Sequence, residues 1–269
     1  MAEQHLFDAG IALDWRDKVA HGRTHAAWRN FIGPFGGLTA AQVMKAILDH
    51  PERLGDPVAL TVNFAAALED GDFQVVAKPA RTNRSTQHWI VTIEQKGAVV
   101  TTATALTAVR RDTWSTKEAH APQVPRPSEV ELQKAPSRVE WIRRYEMRFI
   151  EGGISGEWHG GDQGHSRTRL WVRDNPPRPL DFASLTAMSD IFFPRIWLRR
   201  ATFVPLGTIT MTTYFHATEA QLRETGSGYL LGQTQGQGFG AGYFDHTAQL
   251  WNEHGTLLAT GSQVYYFKE

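Results

Sequence analysis

The chain has no cysteine among its 269 residues. That absence excludes a disulfide framework, a thiolate nucleophile, a Cys-ligated zinc and an iron–sulfur cluster. Charge of one sign is also lacking, since 28 Lys and Arg face 28 Asp and Glu. A neutral balance argues against a nucleic-acid or anionic-membrane binder, although a local basic patch is compatible with it. Nowhere do about 18 apolar residues run together, so no segment reads as membrane-spanning. The first residues carry two acids and a His before any apolar run, unlike a signal peptide. A soluble, cytoplasmic protein is therefore expected. No G-x-S-x-G string occurs, which removes the signature of an α/β-hydrolase serine. What is present, 41% hydrophobic and 21% charged residues, describes an ordinary globular protein with a sizeable core, as one large domain or two modest ones.

From Arg110 to Ser137 the sequence is rich in proline (Pro122, Pro125, Pro127, Pro136) and poor in apolar residues. It reads as an exposed linker. The expected organisation is an N-terminal unit over 1–112, a linker over 113–137 and a C-terminal unit over 138–269. The halves resemble each other. Phe35, Leu38, Thr39 and Ala40 recur as Phe182, Leu185, Thr186 and Ala187, at an offset of 147. A strand-like run containing Phe64 recurs around Phe215, offset by 151, and a segment at Gly97 recurs at Gly255, offset by 158. The order is kept and the offset grows in small steps, as loop insertions produce.

Each half reads as a strand pair (about 6–30 and about 140–173), a short helix (about 37–49 and 183–192) and three or four further strands. Leu38, Val43, Met44, Ile47 and Leu48 have helical spacing, with Pro51 just beyond. Trp89, Val91 and Ile93 alternate with polar neighbours, as in a half-buried strand. Lys96-Gly97 and His254-Gly255 read as turns into the last strand of each half. Consecutive strands without intervening helices indicate antiparallel sheet and class α+β.

This order resembles the hotdog fold, and two such units in one chain resemble the double-hotdog acyl-CoA thioesterases, most closely the bacterial acyl-CoA thioesterase II type. The strings that carry the resemblance are Asn30 to Gly37, Arg81 to Thr86, Ala187 to Asp190, Gly207 to Thr210 leading to His216, and Gly255 to Gln263. The resemblance implies a continuous curved antiparallel sheet wrapped on two central helices, and hydrolysis of a fatty or related acyl-CoA. It also implies an Asp, a Thr and a Gln acting together on a water molecule, here Asp190, Thr208 and Gln263. Such a mechanism requires no metal, no cofactor and no covalent intermediate. Gly36 and Gly37, at the start of the first helix, offer backbone N–H groups to a developing oxyanion. Arg81 and Arg84 are candidates for a CoA phosphate, or simply solvated surface cations. The expected partner is the acyl-CoA substrate alone, with neither nucleic acid nor membrane, in a homodimer or larger homo-oligomer.

The repeat sharpens the assignment. By the offsets, the first-half counterparts of Asp190 and Gln263 are Val43 and Ala105, neither of which can orient a water. Bland readings stay open for each residue alone: a solvated carboxylate for Asp190, an ordinary strand residue for Thr208, an outward-facing one for Gln263. Two other readings of the whole compete, a non-catalytic acyl-CoA-binding hotdog protein and an enoyl-CoA hydratase or dehydratase. The latter enzymes have a His five residues after the Asp, where this chain has Arg195. Two further patterns read as structural. His159, Asp162 and His165 have metal-ligand chemistry but sit in a Gly-rich surface loop. Gly236 to Ala241 fits G-x-G-x-x-A but leads into a strand, without the helix a nucleotide site requires.

Overall fold

The computed structural model describes residues 4–134, 139–153, 162–200 and 202–269. Its centre is a pair of helices. α2 (Gly36–Leu48) is buried on nearly every side from Gly37 to Ile47, the state of a helix at the middle of a core rather than on its surface. α3 (Phe182–Met188) is buried along its whole length and packs against α2. Asp181 caps α3, its side chain accepting from the Ser184 N–H at 2.7 Å. Gln42, buried in α2, donates to the Gly10 carbonyl at 2.9 Å, so its buried amide is satisfied.

Around the helices runs one antiparallel sheet. In the first half it comprises β1 (Asp14–Arg16), β2 (Val19–Arg23), β3 (Asp56–Phe64), β4 (Asp72–Thr82), β5 (Thr86–Gln95) and β6 (Ala98–Ala108). In the second half it comprises β7 (Tyr145–Glu151), β8 (Thr168–Asp174), β9 (Leu206–Phe215), β10 (Leu230–Gln235), β12 (Tyr243–Asn252) and β13 (Leu257–Phe267), with the short β11 (Phe239–Gly240) pairing β12. The spatial order is β1-β2-β4-β5-β6-β3-β9-β13-β12-β10-β8-β7. The halves join where β3 pairs antiparallel with β9. At the middle of that seam Thr61 faces Thr212, the residue 151 positions on, with their hydroxyls 3.0 Å apart. The sequence offset is thus the register of the seam: each repeat pairs with the other about its own equivalent residue. This is a double hotdog of class α+β.

Three local readings change. The segment read as the first strand pair, about 6–30, opens instead with a helix, α1 (Leu6–Gly10), its start held by the His5 ring accepting from the Phe7 N–H. Only β1 and β2 of that span are strands, because Phe7 and Ile11 face the core at helical spacing. A further helix, α4 (Glu219–Thr225), follows β9 and is closed by a Thr218–Gln221 capping box. The proline-rich segment is not simply exposed. Trp171, Leu231 and Trp251 lie on neighbouring strands, turned away from the helices, and Ala121, Val124 and Val130 cover them. The Trp171 indole also donates to the Pro125 carbonyl at 2.8 Å. Large aromatics on an outer sheet face need a cover, and the linker's few apolar residues supply it.

Among the described residues no helix is long and apolar enough to cross a membrane. Lys96 and Gly97 both have positive φ, as the tight turn between β5 and β6 requires.

Candidate active site

Asp190 follows the last turn of α3, its N–H donating to the Ala187 carbonyl at 3.0 Å. The partly exposed carboxylate is held from two sides. The Gln263 amide donates to its Oδ1 at 2.8 Å, and the Gly37 N–H, in the first turn of α2, donates to it as well. Burial pushes the Asp190 carboxyl up to about 7, and these two hydrogen bonds only partly offset it. Gly36 stands against the other oxygen: a Cβ there would lie 2.8 Å from Asp190 Oδ2. The two glycines therefore do different things. Gly36 leaves room for the carboxylate, and Gly37 both donates to it and lets α2 approach α3.

Gln263 is 2% exposed and lies on the inner face of β13. Its amide also points a hydrogen at the Ser189 carbonyl, at 3.4 Å. Its Oε1 accepts from the Tyr265 hydroxyl. Thr208 reaches this cluster through Tyr265. A bulge between Val264 and Tyr265 slips the register by one, so Tyr265 faces Thr208 rather than Ile209. A side-chain hydrogen bond then links the two hydroxyl groups. Asp190 and Gln263 are thus in direct contact, and Thr208 stands at the far end of a chain that passes through a tyrosine.

Three buried residues complete the surroundings, and none was singled out for this role by sequence. Tyr265 stacks flat on Phe244, ring centroids 4.6 Å apart. His246 pairs directly across from Gln263, is fully buried, and among the described residues has no hydrogen-bond partner on either ring nitrogen. Desolvation and the nearby Arg195 hold its pKa well below the usual histidine range. Arg195 is also fully buried. Among the described residues its guanidinium donates only to neutral oxygens, on Phe193, Ser166 and Thr168, and burial lowers its pKa to about 9. The position that would carry a histidine in the hydratase reading is therefore a structural arginine turned toward its own backbone. The period-two signal Gln263-x-Tyr265 on an inward strand face was the one clue available for Tyr265.

Arg81 and Arg84 are not brought to this cluster. Both are exposed in the β4–β5 hairpin, where Arg81 donates to Asn83 at 3.1 Å. β5 starts opposite Ala108, which faces Asp56 at the start of β3, whereas the Phe64 ring at the other end of β3 adjoins Gly36. The length of β3, roughly 26 Å for an extended strand of its size, separates the two places. His159 lies outside the described residues. Asp162 pairs with Arg199 at 2.8 Å and His165 stands 3.6 Å from Glu151, and among the described residues no group of three or more metal-ligating side chains gathers. The Gly236 to Ala241 segment passes through β11 into β12, a strand.

One continuous antiparallel sheet around two central helices, built from two repeats, defines the class of double-hotdog proteins. Comparison with protein families places it further. Residues 24–108 match the acyl-CoA thioesterase N-terminal domain and residues 117–267 match the acyl-CoA thioesterase C-terminal domain. The chain belongs to the acyl-CoA thioesterase family. Among solved structures it is similar to a conserved protein of unknown function with a hotdog fold from Alicyclobacillus acidocaldarius, at 44% identity over 99% of both chains, with a TM-score of 0.94. An acyl-CoA thioesterase II from Mycobacterium marinum shares the fold at 15% identity, 97% and 98% coverage and a TM-score of 0.76. The tesB protein of Mycobacterium avium subsp. paratuberculosis does so at 17% identity, 98% coverage of each chain and a TM-score of 0.78. No curated protein matches the chain.

Proposed function

We propose that the protein hydrolyses a fatty or related acyl-CoA to the free acid and CoA, with Asp190 as general base for the attacking water. The observation that carries this reading is the partly exposed Asp190 carboxylate, gripped by the Gln263 amide at 2.8 Å and by the Gly37 N–H. A base whose pKa lies near working pH is ionised often enough to accept a proton and basic enough to take it. Water attacks the thioester carbon while its proton passes to Asp190. The carbonyl oxygen becomes an oxyanion, for which the Gly36 N–H, at the first position of α2 beside Asp190 and without an intrahelical acceptor, is the backbone donor. Collapse expels the CoA thiolate, whose basicity, about that of a free thiol, suits it to take the proton back from Asp190.

In this reading Gln263 holds the carboxylate in one orientation, and Thr208 acts at one remove. Arg81 and Arg84 have no part in the chemical step. Homo-oligomerisation belongs to the same proposal, since β1 and β7, at the two ends of the sheet, each have a neighbour on one side only.

The test is release of free thiol from a panel of straight-chain, branched and aromatic acyl-CoA esters, followed across pH. The expected result is turnover of at least one class, with kcat/KM rising through about pH 7 as Asp190 ionises and then levelling. Tight binding of acyl-CoA with no thiol released from any member of the panel would favour the non-catalytic binder instead.

A further inference from the structure

The Gln263 side chain has two ends of nearly equal size and opposite hydrogen-bonding character, and something must decide which end meets Asp190. On one side stand two acceptors, the Asp190 carboxylate and the Ser189 carbonyl. On the other stands the Tyr265 hydroxyl. We propose that Tyr265 is a positioning residue: by donating to Gln263 Oε1 it fixes the amide with its NH2 turned onto Asp190. The inference rests on the hydrolytic reading above, because it concerns the same carboxylate.

Each neighbour of Tyr265 supports a donor pointing that way. Its ring is 3% exposed and clamped flat against Phe244, so the hydroxyl has one place to be. The phenol proton goes to Gln263 Oε1, with Thr208 linked to the same hydroxyl from the facing strand. The result is a directional chain, Tyr265 to Gln263 to Asp190, in which each group donates to the next and the last receives on a carboxylate, with Thr208 linked to its tyrosine end. Hydrogen bonds in such a chain polarise one another, and the effect is largest in a low-dielectric interior. The charged and titratable groups facing this chain are few. Arg195 and the His246 ring lie beside Tyr265, Asp190 stands at its end, and Tyr145 on β7 lies near enough to Asp190 to feel its charge. Arg195 brings positive charge to the phenol without pairing to a carboxylate among the described residues, which strengthens Tyr265 as a donor.

Removing the hydroxyl changes the balance. In Tyr265→Phe the ring still fills its place against Phe244, but Gln263 Oε1 is left buried without a donor. The amide then has no reason to keep its orientation, and Asp190 loses a donor that stabilises its charged form. Asp190 can be titrated directly by the 13C carboxyl signal, assigned with Asp190→Asn, in wild type and in Tyr265→Phe. The expected shift is upward by about one pH unit. In parallel, kcat/KM at neutral pH should fall about tenfold in Tyr265→Phe, mostly in kcat. In a Gln263→Ala background the same substitution should change it less than about twofold, because its target is gone. Thr208→Val, which removes only the hydroxyl linked to Tyr265, should shift the midpoint in the same direction by less. An Asp190 midpoint unmoved in both variants, or an equal loss from Tyr265→Phe with and without Gln263, overturns the inference. The carboxyl titration needs no turnover, so a wild-type protein that releases no thiol overturns the hydrolytic reading while leaving this one to be decided on its own.

Discussion

Asp190→Asn is expected to lower kcat/KM by about 10²–10⁴ while making the folded protein more stable at pH 8. The two effects have one cause. The carboxyl sits where its charged form is disfavoured, with a folded-state pKa of about 7 against 3.8 for an ordinary aspartate. Below the unfolded value both states hold the proton and Asp190 makes no pH-dependent difference. Between the two values the unfolded chain ionises and the folded one does not, so stability falls as pH rises. Above about 7 both are ionised and the full cost remains, at most about 4 kcal/mol for a displacement of this size. Asparagine has no charge to desolvate and can still accept from Gln263 and Gly37 through its carbonyl oxygen. A gain of about 2–4 kcal/mol is expected at pH 8, shrinking to nothing near pH 4. Asp174, pushed up to about 6 by burial, and the neutral, buried His246 also give stability a pH dependence, but both are present in each protein and cancel in the difference. Denaturant unfolding of both proteins at pH 4, 6 and 8, with thiol-release kinetics alongside, checks this. A variant that keeps activity within a few-fold of wild type removes Asp190 as the base, and one no more stable at pH 8 than wild type removes the desolvation argument.

Such a site, destabilising in the fold and placed in one repeat only, is what made it partly legible in the sequence. Asp190 and Gln263 stood out because their counterparts Val43 and Ala105 are apolar, and the structure brings the first pair together and buries the second in the core. The double-hotdog order was readable because the first helix keeps helical spacing, its start recurs at an offset of 147, and most strands follow one another directly. The 151 offset turned out to be the pairing register of β3 with β9. What was not readable depends on contacts across strands. Thr208 joins the cluster because a bulge brings it opposite Tyr265, and nothing in either segment announces a bulge. His246 faces Gln263 from β12 across a register set by the turn between them and by a bulge at Leu250–Trp251. Arg81 and Arg84 could be recognised as cations, but the end of the sheet they occupy is set by strand direction. The linker looked exposed because proline dominates it, and its role as a cover depends on three scattered apolar residues and on outward-facing tryptophans elsewhere.

The adjacent glycines at the start of α2 should fail in opposite ways. At Gly37 a Cβ would lie 2.5 Å from the Ala187 carbonyl oxygen and 2.5 Å from the Phe35 ring. The first is backbone of α3 and cannot move aside alone, so Gly37→Ala must push the two central helices apart. Overpacking of this kind costs about 1–3 kcal/mol or more, beyond the gain of about 1 kcal/mol that alanine brings to a helix. At Gly36 the Cβ would meet Asp190 Oδ2 at 2.8 Å and nothing else closer than the Phe64 ring at 3.5 Å, an ordinary contact. Only the carboxylate has to give way there. Gly36→Ala is therefore expected to unfold at nearly the wild-type denaturant midpoint yet lose about 10²-fold in kcat/KM, the effect of displacing a reacting group by something near an ångström. Gly37→Ala is expected to lose stability first, with activity following the fraction still folded. Measured together, unfolding midpoints and thiol-release rates separate the two. An active Gly36→Ala enzyme would mean that the carboxylate oxygen facing Gly36 does not need its place for the reaction, and the general base would have to be sought at another residue.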